Sequence, residues 1–150
     1  MMYQHILVPT DGSELSLKAA KTAAKLCKEL NAKMTAVYVI PPYTPPSVGD
    51  GAVLWPDQFA PDRYKAVAEK VANTALDKVR EEAASAKVDC ETLFLTKLHP
   101  WQGIIDTAKG KQCDLIVMAS HGRKGIEGIL VGSETTKVLT HSTTPVLVCR

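Results

Sequence analysis

The chain has 150 residues, 45% hydrophobic and 23% charged, with 18 basic and 16 acidic side chains and a formal net charge of +2. Length and balance fit one folded domain spanning 1–150 and exclude a disordered or fibrous protein. Lys109 and Lys111 form only a local pair, so there is no basic run of the kind that tracks nucleic acid.

The opening MMYQHILVPTDG lacks a basic segment followed by an apolar stretch and a cleavage site, and no apolar run is long enough to span a bilayer. The expectation is a cytoplasmic protein without a membrane anchor. The first strand is predicted over 3–9, and its core, 6–8, is continuously apolar, as a strand buried on both faces must be. A helical stripe follows through Leu17, Ala20, Ala24, Cys27 and Leu30, and then a strand over 33–40.

Residues 41–61 carry six prolines together with Trp55 and Phe59. That is longer than structureless loops usually run, and it reads either as a lid or partner-binding surface or as a mobile excursion. A second helical stripe runs through Tyr64, Val67, Ala68, Val71, Ala75 and Val79, followed by a strand over 88–95. A shorter helix over 100–109 opens on Pro100, which the first turn of a helix tolerates. A strand over 113–119, a helix over 133–141 with Ser133 as its N-cap, and a last strand over 145–149 complete the chain.

Cys27, Cys90, Cys113 and Cys149 stand far apart, as do His5, His99, His121 and His141. This predicts reduced, mostly buried thiols and no metal cluster. Strict alternation of strand and helix predicts a parallel open sheet with helices on both faces and the strands 6–8 and 115–118 as its central pair. Ligands of such sheets bind beyond the carboxyl ends of the strands, where the strand order reverses. The loops flanking that crevice are PTDGS (9–13) and MASHGRKGIEGILVGSE (118–134).

Gly122 and Gly132 are expected to take positive φ and to let backbone amides approach an anion, with Ser133 and Thr135 adding hydroxyls at a helix start. Turn formation and helix capping account for the same residues equally well. Arg123 and Lys124 either neutralise phosphate or are simply solvated. Asp11 either accepts hydrogen bonds from ribose or a base amino group, or caps the next helix. Asp11 and Glu134 are the acids near the crevice that could help position a metal ion between phosphates. The chain contains neither the P-loop G-x-x-x-x-G-K-[ST] nor G-x-G-x-x-G, and neither G-x-S-x-G nor H-E-x-x-H. Binding is therefore better supported than turnover.

ILVPTDGSELSLKAAKTA and DLIVMASHGRKGIEGILVGSETTKVLTHSTTPVLV, with the five-strand order, resemble the universal stress protein family over nearly the whole chain. Its ATP-binding motif G-x2-G-x9-G-[ST] falls on Ala119, Gly122, Gly132 and Ser133, with Ala standing where the motif begins with Gly. The resemblance implies an adenine-nucleotide α/β hydrolase-like, Rossmann-like fold with strand order 3-2-1-4-5. It implies that Pro9, Thr10, Asp11 and Val39 line the adenine and ribose, with Met118 and Ala119 beneath. It further implies phosphates at Gly122, Arg123, Gly132, Ser133, Glu134 and Thr135, with Mg²⁺ or Mn²⁺ held mainly by the phosphates.

ATP, or AMP or ADP, is thus the expected ligand of a homodimeric stress regulator that serves an unknown protein partner. The family pairs through the last strand, and here 145–149 would otherwise be an exposed apolar edge. The alternatives are a member that binds no nucleotide and acts as an interaction module, and a slow ATPase.

Overall fold

The structure, a computed structural model, describes residues 2–44, 60–122 and 131–150. The elements are β1 (His5–Pro9), α1 (Glu14–Leu30), β2 (Lys33–Ile40), α2 (Pro61–Ser85), β3 (Cys90–Thr96), α3 (Pro100–Gly110), β4 (Leu115–Ala119), α4 (Ser133–His141) and β5 (Val146–Cys149). They form one parallel sheet in the order β3-β2-β1-β4-β5. β1 and β4 are adjacent, and the chain winds outward from them in both directions. The expected central pair is therefore in place.

Alternation along the central strands assigns the two faces. Ile6, Val8, Leu115 and Val117 pack with Ala20, Ala24, Cys27, Leu76 and Val79, which belong to α1 and α2. Leu7, Ile116 and Met118 point the other way, onto Ile104, Ala108 and Val138 of α3 and α4. Every residue of β4 is buried, as is the Ile6–Val8 core of β1.

Strand starts are later than the apolar runs suggested. Residues 113 and 114 precede β4, because Gln112 turns the chain at φ 56° and the Asp114 carboxylate accepts the N–H groups of Gln4 and His5. The α2 stripe also needs correction: its core positions are Ala72, Ala75, Leu76, Val79 and Ala83, while Val67 is 60% exposed and Val71 38%. A helix of 25 residues is about 38 Å long, whereas the eight residues of β2 span about 26 Å, so the first turns of α2 overhang the sheet. All four cysteines are free, Cys27 and Cys113 buried and Cys90 and Cys149 half-buried. Of the proline-rich 41–61 stretch, residues 45–59 lie outside the described residues.

Candidate functional site

The crevice is built where β1 and β4 end side by side. After β1, the Thr10 N–H bonds the Val37 carbonyl at 2.9 Å, so the chain leaves the sheet only at Asp11. Buried Thr10 then organises the turn: its Oγ1 accepts from the Gly12 N–H at 3.1 Å and lies 3.1 Å from Ser16 Oγ. Gly12 has φ 82°, a region that favours glycine. Asp11 Oδ1 accepts the Ser13 N–H at 2.9 Å, and Ser13 Oγ accepts the Ser16 N–H at 3.2 Å. Ser13 is thus the N-cap of α1, which decides the capping alternative left open for Asp11.

After β4, the Ser120 N–H bonds Cys149 O at 2.7 Å and the Gly132 N–H bonds Ser120 O at 2.6 Å, which brings the start of α4 back beside the strand end. Thr135 is buried, and its hydroxyl donates to Ala119 O at 2.9 Å. Ala119 itself lies in β4, paired with Cys149, in ordinary strand conformation that accepts a methyl group.

Two sequence expectations are corrected at α4. Its N-cap is Gly132, in extended conformation at φ −72° and ψ 164°, and not Ser133, which is the first helical residue. Neither Gly122 nor Gly132 has positive φ. What both positions share is little room for a side chain. A Cβ at Gly122 would overlap the Asp11 carboxylate, and one at Gly132 would come within 3.0 Å of His121 Cβ and 3.2 Å of its Cα. Close approach of chain segments, to Asp11 at Gly122 and to His121 at Gly132, and not an unusual dihedral angle, marks these two glycines.

Pro9, Thr10, Asp11, Met118, Ala119, Gly122, Gly132, Ser133 and Thr135 therefore belong to the adjoining ends of β1 and β4 and the start of α4. Val39 lies near the end of β2, half-buried against the α3 side, where a side chain at Gly103 would crowd its methyls at 2.9 Å. Glu134 Oε2 is engaged by the Trp101 N–H at 3.0 Å. Arg123 lies outside the described residues, as does Lys124.

The Thr10–Ser16 hydroxyl pair and the Trp101–Glu134 bond escaped the sequence reading. For the first, the Ser13-x-x-Ser16 spacing was an available capping signal; the second joins residues 33 apart and leaves no local signature. A polar depression at the opposite end of the sheet is lined by residues that partly bond one another, including Asp114 on the Gln4 and His5 N–H groups and Lys111 on Glu91.

At α4, the N–H groups of Ser133, Glu134 and Thr135 have no acceptor within their own helix, and the glycine cap supplies none. The positive end of the helix dipole lies at the same place. Gly122 and Ser133 are exposed while their neighbours Ala119 and Ser120 are buried. This arrangement fits an anion laid over the loop. It offers little to a bare metal ion: Asp11 and Glu134 each commit a carboxylate oxygen to a backbone N–H, and the described residues contain no cluster of three His, Cys, Asp or Glu ligands.

Fold and loops together define a doubly wound α/β protein with Gly122 and Gly132 at its switch point. The chain belongs to the universal stress protein family, whose sequence model matches residues 2–150. It is 35% identical over 149 residues to a universal stress protein of Methanocaldococcus jannaschii, covering 99% of this chain and 83% of that one. Among solved structures it resembles the universal stress protein UspA of Lactobacillus plantarum, with TM-score 0.78, 26% identity and coverage of 100% and 99% of the two chains. It is also similar to a universal stress protein solved in complex with cAMP, at TM-score 0.74, 26% identity and the same coverage. Among the described residues, no helix is long and apolar enough to cross a membrane.

Proposed function

We propose that the protein binds an adenine nucleotide in the crevice between β1 and β4 and acts as a cytoplasmic, homodimeric, nucleotide-dependent regulator in the stress response. The ligand is ATP, or the same nucleoside as AMP or ADP. The observation that carries this reading is the start of α4, without a side-chain cap, beside Gly122 and Gly132, two positions where an added Cβ would press on Asp11 and on His121. Pro9, Asp11 and Val39 flank the nucleoside, Met118 and Ala119 form the floor, and Thr10 sets the shape of the turn from beneath. Phosphates rest on the N–H groups of residues 133–135 and on the Ser133 hydroxyl, with Gly122 opposite, and Arg123 is retained as a phosphate partner on the family resemblance alone.

With the nearby carboxylates engaged, Mg²⁺ or Mn²⁺ would be held mainly by the phosphates, whose charge it neutralises. The adenine ligand of the cAMP-bound relative supports the choice of base. β5 lies at the sheet edge, with Leu147 40% exposed. Pairing that edge with a second copy would satisfy its backbone and bury its side chains.

Calorimetric titration of ATP with Mg²⁺, and separately of AMP, tests the reading. Saturable heat is expected from the native protein and none from Gly132→Val. Ser133→Ala, at an exposed site, should weaken ATP about tenfold by removing one hydrogen bond to a charged group. An absence of heat and of copurifying nucleotide in the native protein would defeat the proposal, and steady phosphate release lost in Gly132→Val would make the protein a hydrolase. Sedimentation of the same samples checks the dimer.

A further inference from the structure

We propose that Glu134 is a positioning residue of this site: its carboxylate caps the start of α3 and so fixes the orientation of the first turn of α4. For its functional consequence the inference rests on the nucleotide reading above. The contact itself is geometric. α3 has a poor N-terminus of its own: the His99 side chain makes no capping bond and Pro100 has no N–H to satisfy. The Gln102 and Gly103 N–H groups both turn back to His99 O, at 3.1 and 3.3 Å. That leaves the Trp101 N–H, and Glu134 Oε2 accepts it at 3.0 Å from another helix.

Trp101 is gripped a second time by α4. Its indole stacks on the His141 ring with centroids 4.5 Å apart and planes 30° from parallel. The His141 ring is itself steadied by a 2.9 Å bond from Nδ1 to Lys137 O. Between the two grips lies Val138, fully buried in the cluster against which Trp101 packs. The start of α3 is therefore clamped along nearly two turns of α4.

The first turn of α4 is held from two sides by consecutive residues. Thr135 ties it to β4 through Ala119 O at 2.9 Å, and Glu134 ties it to α3. Ser133, the residue before them, is left exposed at the crevice. The contact also disposes of a charge. A free carboxylate on this turn would compete with phosphate for the helix N–H groups. Here Oε2 is spent on the Trp101 N–H of α3 and Oε1 lies 3.9 Å from Lys137 Nζ, three residues further along α4, so both oxygens are engaged. Glu134 thus orients the anion site without ligating phosphate or metal.

The test compares Glu134→Ala with Glu134→Gln, whose amide oxygen can still accept the Trp101 N–H. Glu134→Ala is expected to weaken ATP binding about tenfold, the upper range for a residue acting through its neighbours. It should also speed hydrogen exchange at the Trp101 amide about tenfold or more. Glu134→Gln should stay near native in affinity, Mg²⁺ dependence and Trp101 exchange. If Gln falls as far as Ala in affinity, or loses Mg²⁺ dependence while its exchange stays slow, the carboxylate ligates and the proposal is wrong. Unchanged ATP affinity in Glu134→Ala would also overturn it. If native protein binds no nucleotide, the ligand reading fails instead, and the Trp101 exchange still decides whether the cap exists.

Discussion

A methyl group added at Gly122 would overlap the Asp11 carboxylate, whose Oδ1 already accepts the Ser13 N–H. The two loops of the crevice are thus in contact through one side chain and one missing side chain. Gly122→Ala should push the Asp11 carboxylate off the Ser13 N–H and cost up to about 1 kcal/mol, the worth of that hydrogen bond. In an Asp11→Ala background the same substitution should cost much less, and urea unfolding of the four proteins measures the difference. Equal costs in both backgrounds would mean that the loops do not meet as described. The spacing from Gly122 to Gly132 is plain in the sequence, but its physical reason is not. The expectation of positive φ belongs to Gly12 instead, because a close approach between chain segments 111 residues apart cannot be read from either segment alone.

Among the elements, helix starts show how local signals succeed or mislead. Ser13 caps α1 through the Ser16 N–H, while Ser133, which looks like a cap in sequence, is already helical and follows Gly132. Ser13→Ala should therefore destabilise by about 1 kcal/mol, whereas Ser133→Ala should stay within about 0.5 kcal/mol. Thermal melting of the pair without nucleotide distinguishes them; a larger loss at Ser133 would restore the capping role to it. The bounds of α4 are correctly legible at 133–141; what the sequence conceals is that its cap carries no side chain and its first turn leans on Thr135 and Glu134. In α2 the helical period is equally legible, but the buried arc shifts to Ala72, Leu76 and Ala83 because the helix outreaches the sheet.

Across the whole molecule, burial governs the thiols. Desolvation, with a smaller contribution from Cys90, pushes Cys27 up to about 12, and desolvation raises Cys90 and Cys113 to about 11. Thiols protonated in the fold but ionised once unfolded near pH 9 contribute stability that is complete below that pH. It is lost as pH rises toward 11–12. Urea midpoints should therefore fall between about pH 8 and pH 10, and less so in Cys27→Ala; an equal fall in both would assign the loss elsewhere. Alkylation of native Cys27 and Cys113 should be slow for the same reason, because the thiolate is the reactive form.

The sequence alone determined the element order, the parallel sheet and the central pair. Strand alternation, helical stripes and right-handed crossovers are local or nearest-neighbour constraints. Tertiary structure decided which glycine yields to which neighbour, which serine caps, and that Glu134 turns toward Trp101 rather than into the crevice. Those outcomes depend on distances between residues far apart in the chain, and such distances are set only when the β1 and β4 ends are brought together.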